Sequence, residues 1–183
     1  MVTPTDARTL IERSRDDPAF FWDSVLGAEP YPKQLEIIQA LKDHQRVAVV
    51  GCNGSGKDWM SARIMLWWQS VHYPAITVVV GPTHRQVSDI VWKEARSAYL
   101  APRFPLGGRM YQTARWEHDD RHYALGLAVG GADDHGDGRI MDGLPPEHDP
   151  GRHPVLPGVV VKSSLCQIIM SARHGQVIIN VIT

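Results

Sequence analysis

A seven-residue run, Gly51-Cys52-Asn53-Gly54-Ser55-Gly56-Lys57, separates the apolar stretch Val47-Ala48-Val49-Val50 from a long segment dominated by apolar residues. A buried strand ending at residue 50 must turn sharply into a helix beginning near residue 57, and the glycines at 51, 54 and 56 permit backbone angles that a Cβ forbids. The N–H groups of such a loop converge on an anion, and the positive end of the following helix dipole adds to their field. The Lys57 ammonium is then placed to reach the β- and γ-phosphates of a nucleotide. The bland alternative is a glycine-rich turn between strand and helix carrying a solvated lysine. Matches to G-x-x-x-x-G-K arise by chance, but one framed by a strand before and a helix after is far more constraining.

One position departs from the usual loop. Asp58 stands where a Ser or Thr hydroxyl helps to hold Mg²⁺ against the phosphates. A carboxylate is a good hard ligand for Mg²⁺, but it also sets a negative charge beside a polyphosphate.

The flanking pattern predicts an α/β fold. Residues 18–26, with Phe20, Phe21, Trp22, Val25 and Leu26, read as a short amphipathic helix with Pro18 in its first turn and Gly27 as its stop. After the bend Glu29-Pro30-Tyr31-Pro32, the residues Leu35, Ile38 and Leu41, widened by Ile37, predict a helix to about His44. The helix after the loop is apolar nearly all round (Met60, Ile64, Met65, Leu66, Trp67, Trp68) and should be buried against a sheet. The aromatic residues Trp59, Trp67 and Trp68 are therefore read as packing, not as a platform for single-stranded nucleic acid. The run Ile76-Thr77-Val78-Val79-Val80, closed by Gly81-Pro82, predicts a second buried strand and so a βαβ unit. A further helix is expected from His84 to about Leu100. Residues 110–117 and 122–129 around His118-Asp119-Asp120-Arg121 predict a hairpin.

From residue 130 the character changes, with seven glycines, five prolines, five aspartates and three histidines in the 29 residues to 158. That stretch reads as loop or disorder, and His135, His148 and His153 among its aspartates match no compact metal-ligand spacing. Two short apolar runs, Val159-Val160-Val161 and Val177-Ile178-Ile179, follow it.

Composition narrows the function classes. The 183 residues suit one domain, and 43% hydrophobic content suffices for a core. A formal net charge of −1 offers no global basic field, so any contact with DNA must be local. Cys52 and Cys166 form no disulfide framework or zinc pattern, which favours a reducing, cytoplasmic setting. No secretory leader is visible at the N-terminus, and no run approaches 18 apolar residues, so no membrane span is expected.

Three segments in order carry a resemblance: Pro30-Tyr31-Pro32-Lys33-Gln34, the loop at 51–57, and Gly81-Pro82-Thr83-His84-Arg85-Gln86-Val87 with Trp92-Lys93-Glu94 beyond it. Together they resemble the N-terminal ATPase half of the large terminase subunit of tailed phages, the motor that translocates DNA into procapsids. The likeness covers roughly residues 20–129. It implies a P-loop NTPase-like βαβ core, a parallel sheet flanked by helices, in residues 1–129, and a divergent or truncated irregular tail over 130–183.

By this resemblance the cofactors would be ATP and Mg²⁺. Gly51, Asn53, Gly54, Ser55, Gly56 and Lys57 would hold the phosphates, Asp58 would touch the metal, and Tyr31 and Gln34 would lie near the adenine. Thr83, Arg85 and Gln86 would couple nucleotide state to double-stranded DNA, although a helix cap at Thr83 with solvated Arg85 and Gln86 explains them equally. The small terminase subunit, the portal and a homo-oligomeric ring would be partners in a host cytoplasm.

Three elements of the family pattern are missing. The loop interior (Cys52, Asn53, Ser55) holds no cation to stabilise γ-phosphoryl transfer, and no apolar strand ends in the Asp or Glu that hydrolysis on this fold needs. Nor does the sequence after residue 130 supply the family's nuclease domain. Four readings stay open: a packaging motor, a nucleotide-binding module that does not turn ATP over, a P-loop NTPase or kinase-like protein unrelated to packaging, and a fold fragment without function.

Overall fold

A computed structural model of the chain describes residues 4–52, 54–128, 165–172 and 175–182. Helices α1 (Pro4–Asp16), α2 (Pro18–Phe20) with a π-helical turn over Phe21–Leu26, and α3 (Pro32–Asp43) precede β1 (Arg46–Val50). Helix α4 (Lys57–Val71) leads to β2 (Ala75–Gly81), and a second π-helical turn, Gln86–Val91, runs on as α5 (Trp92–Leu100). Strands β3 (Arg109–Met110), β4 (Arg115–Asp119) and β5 (His122–Ala128) follow, then β6 (Leu165–Ala172) and β7 (Gly175–Ile182).

The helices and strands predicted between residues 18 and 100, and the strand at 122–128, form near their expected bounds, the helices at 18–26 and 84–100 with π-helical turns, whereas the hairpin arm expected over 110–117 divides into β3 and β4. The first helix stops where Gly27 takes a left-handed φ of 66°, with its N–H bonded to the Asp23 and Trp22 carbonyls. Helix α1 is unforeseen. It is held by the Trp67 Nε1 donation to the Ser14 carbonyl (2.7 Å) and by the Arg15 guanidinium, whose Nε and Nη2 donate to the Val71 carbonyl at the end of α4 (2.9 and 2.8 Å).

The seven strands form one mixed sheet in the order β1-β7-β6-β2-β5-β4-β3. Strand β1 pairs parallel with β7, and β2 with β5, whereas β6 is antiparallel to both β7 and β2. This corrects two expectations. The sheet is not purely parallel, and the chain after residue 129 is not irregular throughout, because 165–172 and 175–182 form the strands that join β1 to β2. Residues 129–164, including the His and Asp-rich stretch, lie outside the described residues.

Burial explains the layering. Strand alternation sends Val49, Val79, Ile168, Met170 and Ile179 to one face, where Trp22, Ile38, Met65, Leu66, Trp67 and Trp92 from the helices complete the main core. Helix α4 is buried nearly all round, as its composition requires. Its buried Gln69 donates through Nε2 to Thr77 Oγ1 (2.9 Å) and to the Tyr123 carbonyl (2.7 Å), tying the helix to β2 and β5. The opposite face carries a smaller cluster of Val78, Val80 and Ile178 edged by Ile76, Leu125 and Leu127.

Candidate functional site

Because β1, β7, β2 and β5 run the same way, their carboxyl ends at Val50, Ile182, Gly81 and Ala128 share one edge of the sheet. Ligands of open α/β sheets gather at such an edge. The glycine loop leaves β1 there. Gly54 and Gly56 adopt φ of 76° and 74°, which only glycine takes without strain, and Gly56 caps the start of α4. Asn53 lies outside the described residues.

The lysine is folded into its own loop. Lys57 is buried, and its Nζ donates to the carbonyls of Gly51 and Cys52 (2.6 Å each) and to Ser55 Oγ (3.3 Å). An ammonium has three protons, so the carbonyls and hydroxyl occupy the donors that phosphate oxygens would otherwise take. Gly51 does not share the left-handed φ of Gly54 and Gly56, and a Cβ on it would lie a tight 3.0 Å from Ser55 Oγ.

Tyr31 and Gln34 come to the same loop. The Tyr31 hydroxyl donates to the Ser55 carbonyl (2.6 Å). Gln34 is buried, and its Oε1 accepts from the Tyr31 N–H (3.2 Å) at the start of α3 while its own N–H donates to the Tyr31 carbonyl (2.9 Å). Its Nε2 lies 3.3 Å from where a Cβ on Gly56 would sit. Between α3, the loop and β1 opens a cleft of about 420 Å³, with Ile37, Ala40, Val47, Val49 and Met60 among its apolar lining. That volume is within the range of small-molecule sites. The sequence reading missed this wall, although the extra apolar position Ile37 on α3 was its visible trace.

The acidic and basic groups near the loop are arranged for packing as much as for ligation. Asp58 is exposed, yet neighbouring chain strips enough water from its carboxyl to raise its pKa above the ordinary value; Lys57 opposes the shift and Glu94 adds to it. Arg63, one turn further along α4, stacks 3.7 Å over the Trp59 ring and donates to the Trp59 carbonyl (2.9 Å). It also lies 3.7 Å from Glu94. Burial lowers its pKa to about 10 against the pull of Glu94, and it is Nη1 that serves both the Trp59 carbonyl and Glu94. Among the described residues no group of three or more His, Cys, Asp or Glu is placed to hold a metal ion, so near the loop Asp58 has only the Glu94 carboxylate within electrostatic reach.

Thr83, Arg85 and Gln86 lie apart from this cluster. They are exposed just past the end of β2, three strand spacings from β1 or about 14 Å across the sheet. Thr83 Oγ1 accepts from the Gln86 N–H (3.2 Å), the helix-cap arrangement foreseen as the alternative to a coupling role. Strand β7, parallel to β1 and paired with it, reads Gly175-Gln176-Val177-Ile178-Ile179-Asn180-Val181-Ile182 and has no carboxylate. No helix among the described residues is long and apolar enough to cross a membrane. Comparison with protein-family models, curated proteins and solved structures finds no match to this chain.

Proposed function

We propose that the chain binds a nucleoside triphosphate at the glycine loop, as a P-loop NTPase-like module resembling the ATPase half of a large terminase. The observation that carries this reading is the strand, glycine loop and helix at the carboxyl edge of the parallel strands, with the Lys57 ammonium inside the loop. The backbone suits ATP phosphates: Gly54 has open space where a Cβ would stand, and Gly56 presents the N-terminus of α4. Gly51, Gly54, Ser55, Gly56 and Lys57 would hold the phosphates, and Asp58 would share Mg²⁺ with them. Bound Mg²⁺ would neutralise phosphate charge. The packaging role implies double-stranded DNA met by Arg85 and Gln86, contacts with small terminase and portal, and a ring of copies in the host cytoplasm.

A second reading, binding without turnover, is favoured by one observation. Hydrolysis needs a carboxylate at a strand end near the phosphates, and β7, which lies against β1, offers none. Titration of Mg²⁺-ATP into the protein and its Lys57→Ala variant, with phosphate release followed with and without double-stranded DNA, separates the readings. Lys57-dependent binding with DNA-stimulated release supports a motor; binding without release supports the second reading. Equal behaviour of the two proteins, with no binding by either, refutes both.

A further inference from the structure

Resting on the nucleotide reading, we infer that the site selects its ligand by the triphosphate and accepts different bases, with Tyr31 and Gln34 acting as positioning residues for the loop. The Tyr31 hydroxyl and the Gln34 side-chain oxygen are turned toward the chain itself. The Tyr31 hydroxyl is spent on the Ser55 carbonyl at 2.6 Å, and Gln34 Oε1 on the Tyr31 N–H at 3.2 Å. Gln34 is buried, and its amide nitrogen abuts Gly56. A glutamine that reads adenine must offer both its donor and its acceptor to the base edge. Here the acceptor completes the start of α3.

The rest of the cleft has little with which to discriminate. Its side-chain walls are mostly apolar, and the charged residues on its rim, Lys33 and Glu36, are paired with each other at 2.8 Å. The remaining polar surface is the backbone of β1. Four consecutive residues, 47–50, line the cleft, and among the described strands β1 pairs only with β7, so its other edge is open. Alternate residues of an open strand edge present both an N–H and a C=O outward. Adenine, with an acceptor at N1 and a donor at N6, takes an N–H followed by a C=O, and guanine, with a donor at N1 and an acceptor at O6, takes the reverse order; an edge along which N–H and C=O alternate offers both orders in neighbouring registers. Apolar walls and a backbone edge therefore hold a base without choosing it, while the loop holds the phosphates.

The test is displacement of an N-methylanthraniloyl ATP probe from the full chain, with Mg²⁺ present, by ATP, GTP, CTP, UTP and inorganic tripolyphosphate. The two purine triphosphates are expected within about threefold of each other and the pyrimidine triphosphates within about tenfold, less than 1.4 kcal/mol of discrimination. Tripolyphosphate should compete as well. Tyr31→Phe should weaken every competitor by the same factor, about five- to tenfold for one lost hydrogen bond. Gln34→Glu keeps the acceptor for the Tyr31 N–H and removes the amide donor; it should leave the purine ranking unchanged. A preference for ATP over GTP beyond tenfold that Gln34→Glu abolishes would overturn base tolerance while leaving nucleotide binding intact. Failure of the probe to bind, with Lys57→Ala indistinguishable from the parent, would overturn the nucleotide reading and this inference with it.

Discussion

Gly126 on β5 gives the sharpest test of how the sheet carries its functional edge. A Cβ added there would fall inside contact distance of Val87 Cγ1, 2.8 Å from Ala114 Cβ and 3.6 Å from Trp92 Cε3. A Cβ on Gly81 would likewise meet Val87 Cγ2 at 2.7 Å, so Val87 is seated over two glycines on paired strands. That seat fixes the π-helical turn which follows Thr83 and Arg85. Overpacking of this kind costs about 1–3 kcal/mol, and the lower backbone entropy of alanine in a strand returns about 0.5–1 kcal/mol. Gly126→Ala should therefore destabilise by about 1–2 kcal/mol. Urea unfolding followed by tryptophan fluorescence, with a slope of about 2 kcal/mol per molar, would read this as a midpoint shift of about 0.5–1 M. Val87→Ala alone should cost a similar amount, about 1–2 kcal/mol, through the emptied seat. The double variant should be more stable than the sum of the two by about 1 kcal/mol, because the γ-methyl clash is gone while the Ala114 contact remains. A Gly126→Ala protein as stable as the parent, or strict additivity in the cycle, would refute the seat.

Three further outcomes are expected. Gly56→Ala forces an alanine to φ near 74° against Gln34 Nε2; it should lower stability by about 1–2 kcal/mol and weaken ATP in a fluorescence titration, and an unaffected protein would refute the strained cap. His118, its ring 4.6 Å from that of His122, is held down to about 4 by burial, and His122, whose Nδ1 accepts the Ala75 N–H, is also lowered by burial. Unfolded histidines take up protons below about 6.5, so stability should rise with pH from about 4 to 6.5; urea midpoints across that range should show the climb, and His118→Phe should flatten it. A chain ended at residue 128 loses β6 and β7, and with them every ladder bond that β1 makes among the described strands. It should lose near-ultraviolet circular dichroism and cooperative unfolding, whereas a native spectrum would show that 1–128 folds alone.

Elements whose local signals agree were legible in the sequence. Val47–Val50 before three glycines, and Ile76–Val80 before Gly81-Pro82, are apolar runs with breakers at their ends, and both are strands where expected. Helix α1 was not legible because residues 4–16 are rich in charge and give no broad apolar face; it is fixed from a distance by Trp67 and by Arg15. Strands β6 and β7 were hidden for another reason. Val177-Ile178-Ile179 is too short to outweigh the glycine and proline-rich stretch before it, and pairing partners at Ala48 and Val79 are far away in sequence. At the site, backbone geometry dictates Gly54 and Gly56, though not Gly51, and so the loop was readable. The roles of Tyr31 and Gln34 were not, since a hydrogen bond to Ser55 and a closed start to α3 depend on how α3 meets β1.

The sheet order also separates gripping a phosphate from cleaving it. Strand β7 is parallel to β1, in register from Arg46 opposite Ile178 to Val50 opposite Ile182, so its carboxyl end arrives at the same level as the glycine loop. On a hydrolytic sheet of this kind that is where an acidic residue would meet the metal and the attacking water. Here Asn180, Val181 and Ile182 occupy it, Asp58 lies on α4 beside Glu94, and Arg63 is tied to Trp59 and Glu94. On the proposed reading, binding would draw on the loop alone: Gly54 and Gly56 shape it, Tyr31 and Gln34 brace it, and Lys57 would supply the charge. Turnover would need a carboxylate and a cation from outside the described strands, and a neighbouring copy in a ring is one geometry that brings both to an exposed sheet edge. Binding that survives at low protein concentration, with phosphate release that appears only as copies associate, is the behaviour this division of labour requires.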